Sequence, residues 1–209
     1  MTTAPMTLNV PARARSLKTP ALIVAGIVVA SLVATYIATN VYASLAQRTL
    51  DGRMADALER WAPLDPAERS SIAFASGDPV ARLVAEDIGL DVVIAEGATP
   101  SVMRRAPGHL PGSATPGEQG VAIVTANRLG FGSFFARLSS LDAGDRIVTE
   151  SVFGRTTYTV MEVRTVAAER LDLATDSNDR VLMLFGSARL WGGPDRIVVR
   201  AVAAEAPQL

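Results

Sequence analysis

Ser187 and Arg196 have side chains of the types that do chemistry, and they stand at the two ends of a loop between apolar runs. Leu182, Leu184 and Phe185 lead into Gly186-Ser187. Gly192-Gly193-Pro194-Asp195 then turns the chain, and Ile197, Val198 and Val199 resume a β-branched run. The pattern reads as strand, loop, strand. Strand ends deliver side chains to a shared mouth, so a hydroxyl closing one strand and a guanidinium opening the next make a candidate site. Their chemistry is bounded. A serine hydroxyl is a nucleophile only beside a base, while a guanidinium binds carboxylates and peptide carbonyls. The chain has no cysteine and one histidine, His109. Disulfides, thiolate nucleophiles and thiolate or multi-histidine metal sites are therefore excluded, and imidazole acid–base chemistry would have to use His109. Glu118, Asp142 and Asp145 read as turn residues without the spacing of a calcium loop. No metal and no cofactor is expected.

The elements that must position these residues follow from the rest of the chain. Its 209 residues carry 20 Lys+Arg against 21 Asp+Glu. With no basic cluster in the globular part, nucleic acid is not an expected partner. Residues 1–20 form a basic tail with Arg13, Arg15 and Lys18 and no acidic residue. Residues 21–43 are uncharged and long enough to span a bilayer as a helix, with Tyr36 and Tyr42 suited to the interface. Positive charge before the span predicts a cytoplasmic N-terminus and an exported remainder, in the inner (cytoplasmic) membrane. A cleaved signal peptide is the alternative, with small residues at Ala43-Ser44-Leu45-Ala46. Signal h-regions run only about 7–15 residues, so a retained anchor is expected. Residues 44–77 read as an amphipathic helix and a linker. Leu50, Met54, Leu58 and Trp61 fall at helical spacing within 46–62, and Pro63 ends the pattern. Trp61 would touch the membrane surface or pack on the domain.

Residues 78–209 form the expected domain. Strands are predicted over 79–85, 90–94, 120–126, 146–150, 156–166, 181–185 and 196–202. A helical turn is predicted over 98–105, with Thr99 as N-cap and Pro100 at its first position. A Pro/Gly loop covers 106–120, and a short helix over 131–138 would carry Phe134, Phe135 and Leu138 on one face. Many short strands with few helices predict a mainly β fold, a small barrel or a sandwich.

In this order the segments resemble the sortase family, most of all its Gram-negative type. Asp78-Pro79-Val80-Ala81-Arg82-Leu83 resembles the opening strand. Ala106-Pro107-Gly108-His109, Gly112-Ser113-Ala114 and Pro116-Gly117-Glu118 resemble the PGH…GSA.PGE loop. Residues 120–128 resemble the strand ending in GHR, and 134–138 with Ala143-Gly144-Asp145 resemble the F..L…GD segment. Residues 182–187 resemble LTLVTC, and Gly192-Gly193-Pro194 with Arg196-Ile197-Val198-Val199 resemble GGP.RYVV.

The resemblance implies a closed β-barrel with short helices behind a transmembrane helix, and an extended peptide or envelope protein as partner. Sortases are membrane-anchored cysteine transpeptidases in which a thiolate attacks a sorting-signal peptide. An imidazolium protonates the leaving amine and an arginine stabilises substrate or oxyanion. Here Ser187 holds the Cys position, Asn127 the His position, and Arg196 the Arg position. The expectation is a catalytically degenerate domain acting as a peptide-binding or accessory module. The alternative is a divergent serine-based transpeptidase or peptidase using Ser187, His109 and Arg196. Each residue has a plainer role beside this one. Ser187 would fill a strand end, Asn127 form a turn, and Arg196 pair with Asp195 or Glu162. His109 and Trp191 are the candidate binding residues; His109 would otherwise be an ordinary loop histidine, and Trp191 would line a groove or cap the core.

Overall fold

A computed structural model describes residues 18–167, 177–187 and 195–203. The chain divides into two compact units, one ending at Thr35 and one beginning at Tyr36.

A single helix, α1 (Lys18–Trp61), covers both the predicted span and the predicted amphipathic helix without a break. It contains the one stretch among the described residues that is long and apolar enough to cross a membrane, with a mean hydropathy of 2.4. Every residue over 21–35 is exposed. The hydroxyls there are satisfied by the helix itself: Ser31 Oγ donates to the Ile27 carbonyl and Thr35 Oγ1 to the Ser31 carbonyl, both at 2.8 Å. That is the arrangement a polar group needs where no water is available.

In the second unit the C-terminal part of α1 packs by its expected stripe. Leu50 and Met54 meet Val93, Ala95, Val102 and Ala106, with Leu58 and Trp61 at the margin. Trp61 stands edge-on to Phe74, 5.9 Å between centroids, so it packs on the domain. Residues 63–77, expected as a linker, contain a short helix α2 (Pro66–Ser70). Asp65 caps it, accepting from Glu68 N, while the Glu68 carboxylate accepts from Asp65 N. This reciprocal capping box is a signal that the Pro- and Ser-rich texture masked.

The strands are β1 (Pro79–Ala85), β2 (Leu90–Glu96), β3 (Gly108–His109), β4 (Gly120–Ala126), β5 (Arg146–Ser151), β6 (Gly154–Ala167), β7 (Arg180–Ser187) and β8 (Asp195–Ala203). They close into a barrel in the order β1-β2-β3-β4-β7-β8-β6-β5, β5 pairing back onto β1. Closure removes the open edges a sandwich would leave. Alternation along each strand sends one set of side chains inward. Leu83, Ile94, Val124, Leu184, Val199 and Tyr158 are among those filling the interior. Ile123, Met183, Phe185 and Val198 form a second buried cluster on the outer face of β4, β7 and β8.

One local expectation holds and one is corrected. The predicted helical turn over 98–105 is the four-residue helix α3 (Pro100–Met103), with Thr99 at its N-cap and Pro100 in its first turn, though without a side-chain cap bond. The Thr99 hydroxyl lies 2.9 Å from Ser101 Oγ instead. The predicted helix over 131–138 is absent: this stretch is a series of turns ending in a 3-10 turn at Leu138–Ser140. Gly130, Phe131, Gly132 and Ser133 all have positive φ, which a right-handed helix cannot accommodate. Phe135 and Leu138 still reach the core, and Phe134 packs against it.

Candidate functional site

Strand register brings Asn127, Ser187 and Arg196 to one end of the barrel. β4 and β7 run parallel with Ala126 opposite Gly186, so Asn127 and Ser187 occupy the next step of the two chains. Across the antiparallel β7–β8 ladder Ser187 is opposite Arg196. Gly186 keeps the approach narrow. A Cβ at that position would come within 3.2 Å of the Arg128 side chain. Arg128 in turn donates to the carbonyls of Phe135 (3.2 Å) and Ala136 (3.0 Å), tying the loop after β4 together.

Asn127 has a defined bond rather than an open amide. Its Nδ2 donates to the Met103 carbonyl at 2.9 Å, at the end of α3. An amide there orients and donates but has no proton to exchange near neutrality. Arg196 alternates with the inward Ile197, so it lies on the outer face with Val198. One of its guanidinium nitrogens donates to the Asp195 carbonyl at 3.1 Å. Glu162, the other partner considered for it, lies 3.7 Å from Arg164 Nε. Trp191 lies outside the described residues, and Ser187 is described by its backbone alone.

His109 is elsewhere. It stands opposite Val124 on β4 and Glu96 on β2, which places the imidazole inside the barrel at 3% exposure. Both ring nitrogens are committed. Nδ1 lies 2.7 Å from Glu96 Oε2, and Nε2 lies 2.9 Å from the Ala114 carbonyl and 3.0 Å from Ser113 Oγ.

Glu96, His109 and Ser113 are the residue types of a catalytic triad, in contact, but the bonds run the wrong way. The Ala114 carbonyl can only accept, so Nε2 carries a proton. The Ser113 hydroxyl donates to the Leu110 carbonyl at 2.8 Å and accepts from Ile123 N at 3.2 Å. A base must accept the serine proton; here the imidazole donates. The cluster knots β2, β3 and the loop after β3 together. Ser187 lies two strands away, beyond β4, and three register steps along, about 14 Å away between Cα atoms at ordinary strand spacing and rise. The structure therefore does not bring His109 to Ser187. Glu96 and Ser113 were missed by sequence reasoning, since Glu96 meets His109 only through the parallel pairing of β2 with β3.

Gln47 was also missed. Its Oε1 accepts from Val93 N at 2.8 Å, and its Nε2 donates to the carbonyls of Val93 (3.1 Å) and Arg105 (3.2 Å). The side chain completes the edge of β2 and clamps α1 to the barrel.

The fold matches solved sortases. The chain aligns with a Clostridium perfringens sortase D5 transpeptidase at 24% identity and a TM-score of 0.64, over 77% of this chain and 99% of that one. It aligns with a lid mutant of Streptococcus agalactiae sortase C1 at 20% identity and 0.62, over 77% and 97%. A third match is a C. perfringens sortase C solved with the C-terminal cell wall sorting motif, at 15% identity and 0.62, over 73% and 97%. A search of curated proteins finds no match. The sortase domain family model matches residues 83–204, more than half of the chain. This match over more than half of the chain establishes that the chain belongs to the sortase family, and its barrel has that family's fold.

Proposed function

We propose that this is a membrane-anchored sortase-family domain of the cell envelope that binds an extended peptide or envelope protein without transpeptidase chemistry. The observation that carries the reading is the commitment of the only imidazole: His109 is bound on both nitrogens inside the barrel, in a chain with no cysteine. Neither the family's nucleophile nor its acid is then on hand, and general acid–base catalysis alone is worth about 10²–10⁴-fold. Arg196, the retained position, supplies a charge-assisted donor for a carboxylate or peptide carbonyl on the outer face. The basic residues before α1 support a cytoplasmic N-terminus in the inner membrane, with the barrel outside. By analogy with the sortase C solved with a cell wall sorting motif, the partner is an extended sorting-signal-like segment.

The test uses the full chain in detergent with a fluorescent peptide of that motif class. Binding is expected to survive Ser187→Ala, to weaken about tenfold or more in Arg196→Ala, and to yield no cleaved or joined product by mass spectrometry. Product formation that disappears in Ser187→Ala would establish a serine enzyme instead. Unchanged binding in Arg196→Ala would remove the arginine from the proposed role.

A further inference from the structure

The loop 128–134, which follows Asn127, has a role left open by the site itself. Four successive residues have left-handed backbone: Gly130 (φ 69°), Phe131 (47°), Gly132 (87°) and Ser133 (46°). A phenylalanine there is disfavoured by its own Cβ, and such a conformation persists only where its surroundings hold it. They do. Phe135 N donates to the Asn127 carbonyl (3.1 Å) and Ser133 N to that of Gly130 (3.0 Å), while the Arg104 guanidinium lies over the Phe131 ring at 5.7 Å. A side chain on Gly132 would run into the Phe134 ring. The result turns Leu129 outward, 37% exposed, with Phe131 half-buried beside it.

This loop lies against α1. A Cβ on Gly130 would sit 3.6 Å from Thr39 Oγ1, and Ser133 Oγ is 3.5 Å from Asn40 Oδ1. On the neighbouring turns of the helix Tyr36 and Tyr42 are 47% and 51% exposed, together with Ile37, Val41 and Leu45. Three exposed arginines flank the junction. Arg48 and Arg137 line a groove of about 430 Å³ between α1 and the loop, and Arg104 caps Phe131. The groove's carboxylates, Asp51 and Asp91, both face Arg82, at 3.8 and 2.7 Å.

We propose that loop 128–134 is a second membrane contact, seating Leu129 and Phe131 in the lipid interface beside the exit of α1, with Arg48, Arg104 and Arg137 on lipid phosphates. The inference rests on α1 being a membrane span. A lone exposed leucine needs no explanation. This one stands beside an apolar helix segment bearing two exposed tyrosines, the composition of a membrane–water boundary, with arginines whose stems and heads suit that boundary. Continuity with the anchor and charge complementarity both point to lipid. Because the loop starts at Asn127-Arg128, seating it would also fix the approach to the candidate site.

The absence of cysteine makes the test clean, since one introduced thiol is the only one. Full-length Leu129→Cys, Ile27→Cys and Thr157→Cys, each labelled with an environment-sensitive dye, are placed in vesicles of phosphatidylethanolamine and phosphatidylglycerol containing spin-labelled lipid. Ile27 lies within the apolar span, and Thr157 is exposed on β6. The expected result is strong quenching at 27 and several-fold stronger quenching at 129 than at 157, with a blue-shifted emission at 129. Quenching at 27 with equal quenching at 129 and 157 would overturn the loop contact while leaving the anchor intact. No quenching at 27 would overturn the anchor and the loop contact with it. Leu129→Asp in Phe131→Cys, labelled at 131, serves as a second variant set, and its quenching should fall several-fold relative to Phe131→Cys alone. Unchanged quenching there would count against the contact.

Discussion

His109 Nδ1 and Glu96 Oε2 lie 2.7 Å apart inside the barrel, joining β3 to β2. At 3% and 9% exposure, water cannot replace either partner. Removing one partner of a buried hydrogen-bonded ionisable pair strands the other, at a cost of about 3 kcal/mol. His109→Ala is therefore expected to lower the unfolding free energy by about that amount in urea titration. Fluorophosphonate labelling at Ser187 should be absent in both proteins. Labelling in the parent chain that His109→Ala abolishes would return the histidine to the site.

Gln47 makes a related prediction on the outer face. β2 pairs with β3 only at Ala95 and Glu96, so beside Val93 the strand edge is filled by the Gln47 carboxamide. Gln47→Leu keeps the volume but leaves the Val93 donor and acceptor without partners, at a cost of about 1–3 kcal/mol. Hydrogen exchange should show the Val93 amide losing protection while the Leu83 amide, deep in β1, changes only with global stability. Equal loss at both would mean that the clamp acts on the whole barrel.

The barrel was legible because its strands are β-branched runs bounded by Gly, Pro and Asp, as at Val121–Thr125 and Ile197–Val199. The convergence of Asn127, Ser187 and Arg196 followed from matching those runs in order to a known family. The loop after Asn127 was misread for a physical reason. Phe134, Phe135 and Leu138 have helical spacing, yet Gly130 and Gly132 permit a left-handed path that brings the same rings inward by turns. β3 is only two residues long, inside a Pro/Gly loop, and carries no periodicity. The Glu96–His109 contact depends on β2 and β3 being parallel neighbours, which local pattern does not disclose.

Tyr158 contributes to the stability at alkaline pH. Its ring is fully buried and its hydroxyl accepts from Gly117 N at 2.7 Å. Burial raises its pKa above 10.0, opposed by the Gly117 hydrogen bond. Since the folded state binds the proton more tightly than the unfolded chain, this contribution is complete below the unfolded value of 10.0 and is lost as pH rises through the folded one. Unfolding free energy should fall as pH rises from about 10.0 toward the folded value and level off beyond it. Tyr158→Phe should flatten the fall and, by stranding Gly117 N, cost about 1 kcal/mol at neutral pH. An unchanged alkaline slope in the variant would assign the loss to another group.

The register at the barrel end yields a prediction about the geometry there. Ser187→Cys puts a single thiol at the position that the sequence resemblance aligns with the family's nucleophile, and Asn127→His adds an imidazole at the residue that follows β4. A thiol without a cationic neighbour has a pKa of about 8.5, so if Arg196 does not perturb it, Ser187→Cys alone should be alkylated at an ordinary rate. An imidazolium that lowers the thiol pKa by about one unit would raise the thiolate fraction at neutral pH about tenfold. The double variant is expected to show that gain in iodoacetamide kinetics, with a pH profile shifted to lower pH. The obstacle is Met103, whose carbonyl holds the Asn127 amide at 2.9 Å. An imidazole drawn to the same carbonyl would turn away from the thiol. If the double variant reacts no faster than Ser187→Cys, that contact has displaced the histidine, and the barrel end does not hold a thiol and an imidazole in reacting geometry. A tenfold gain would mean that it does.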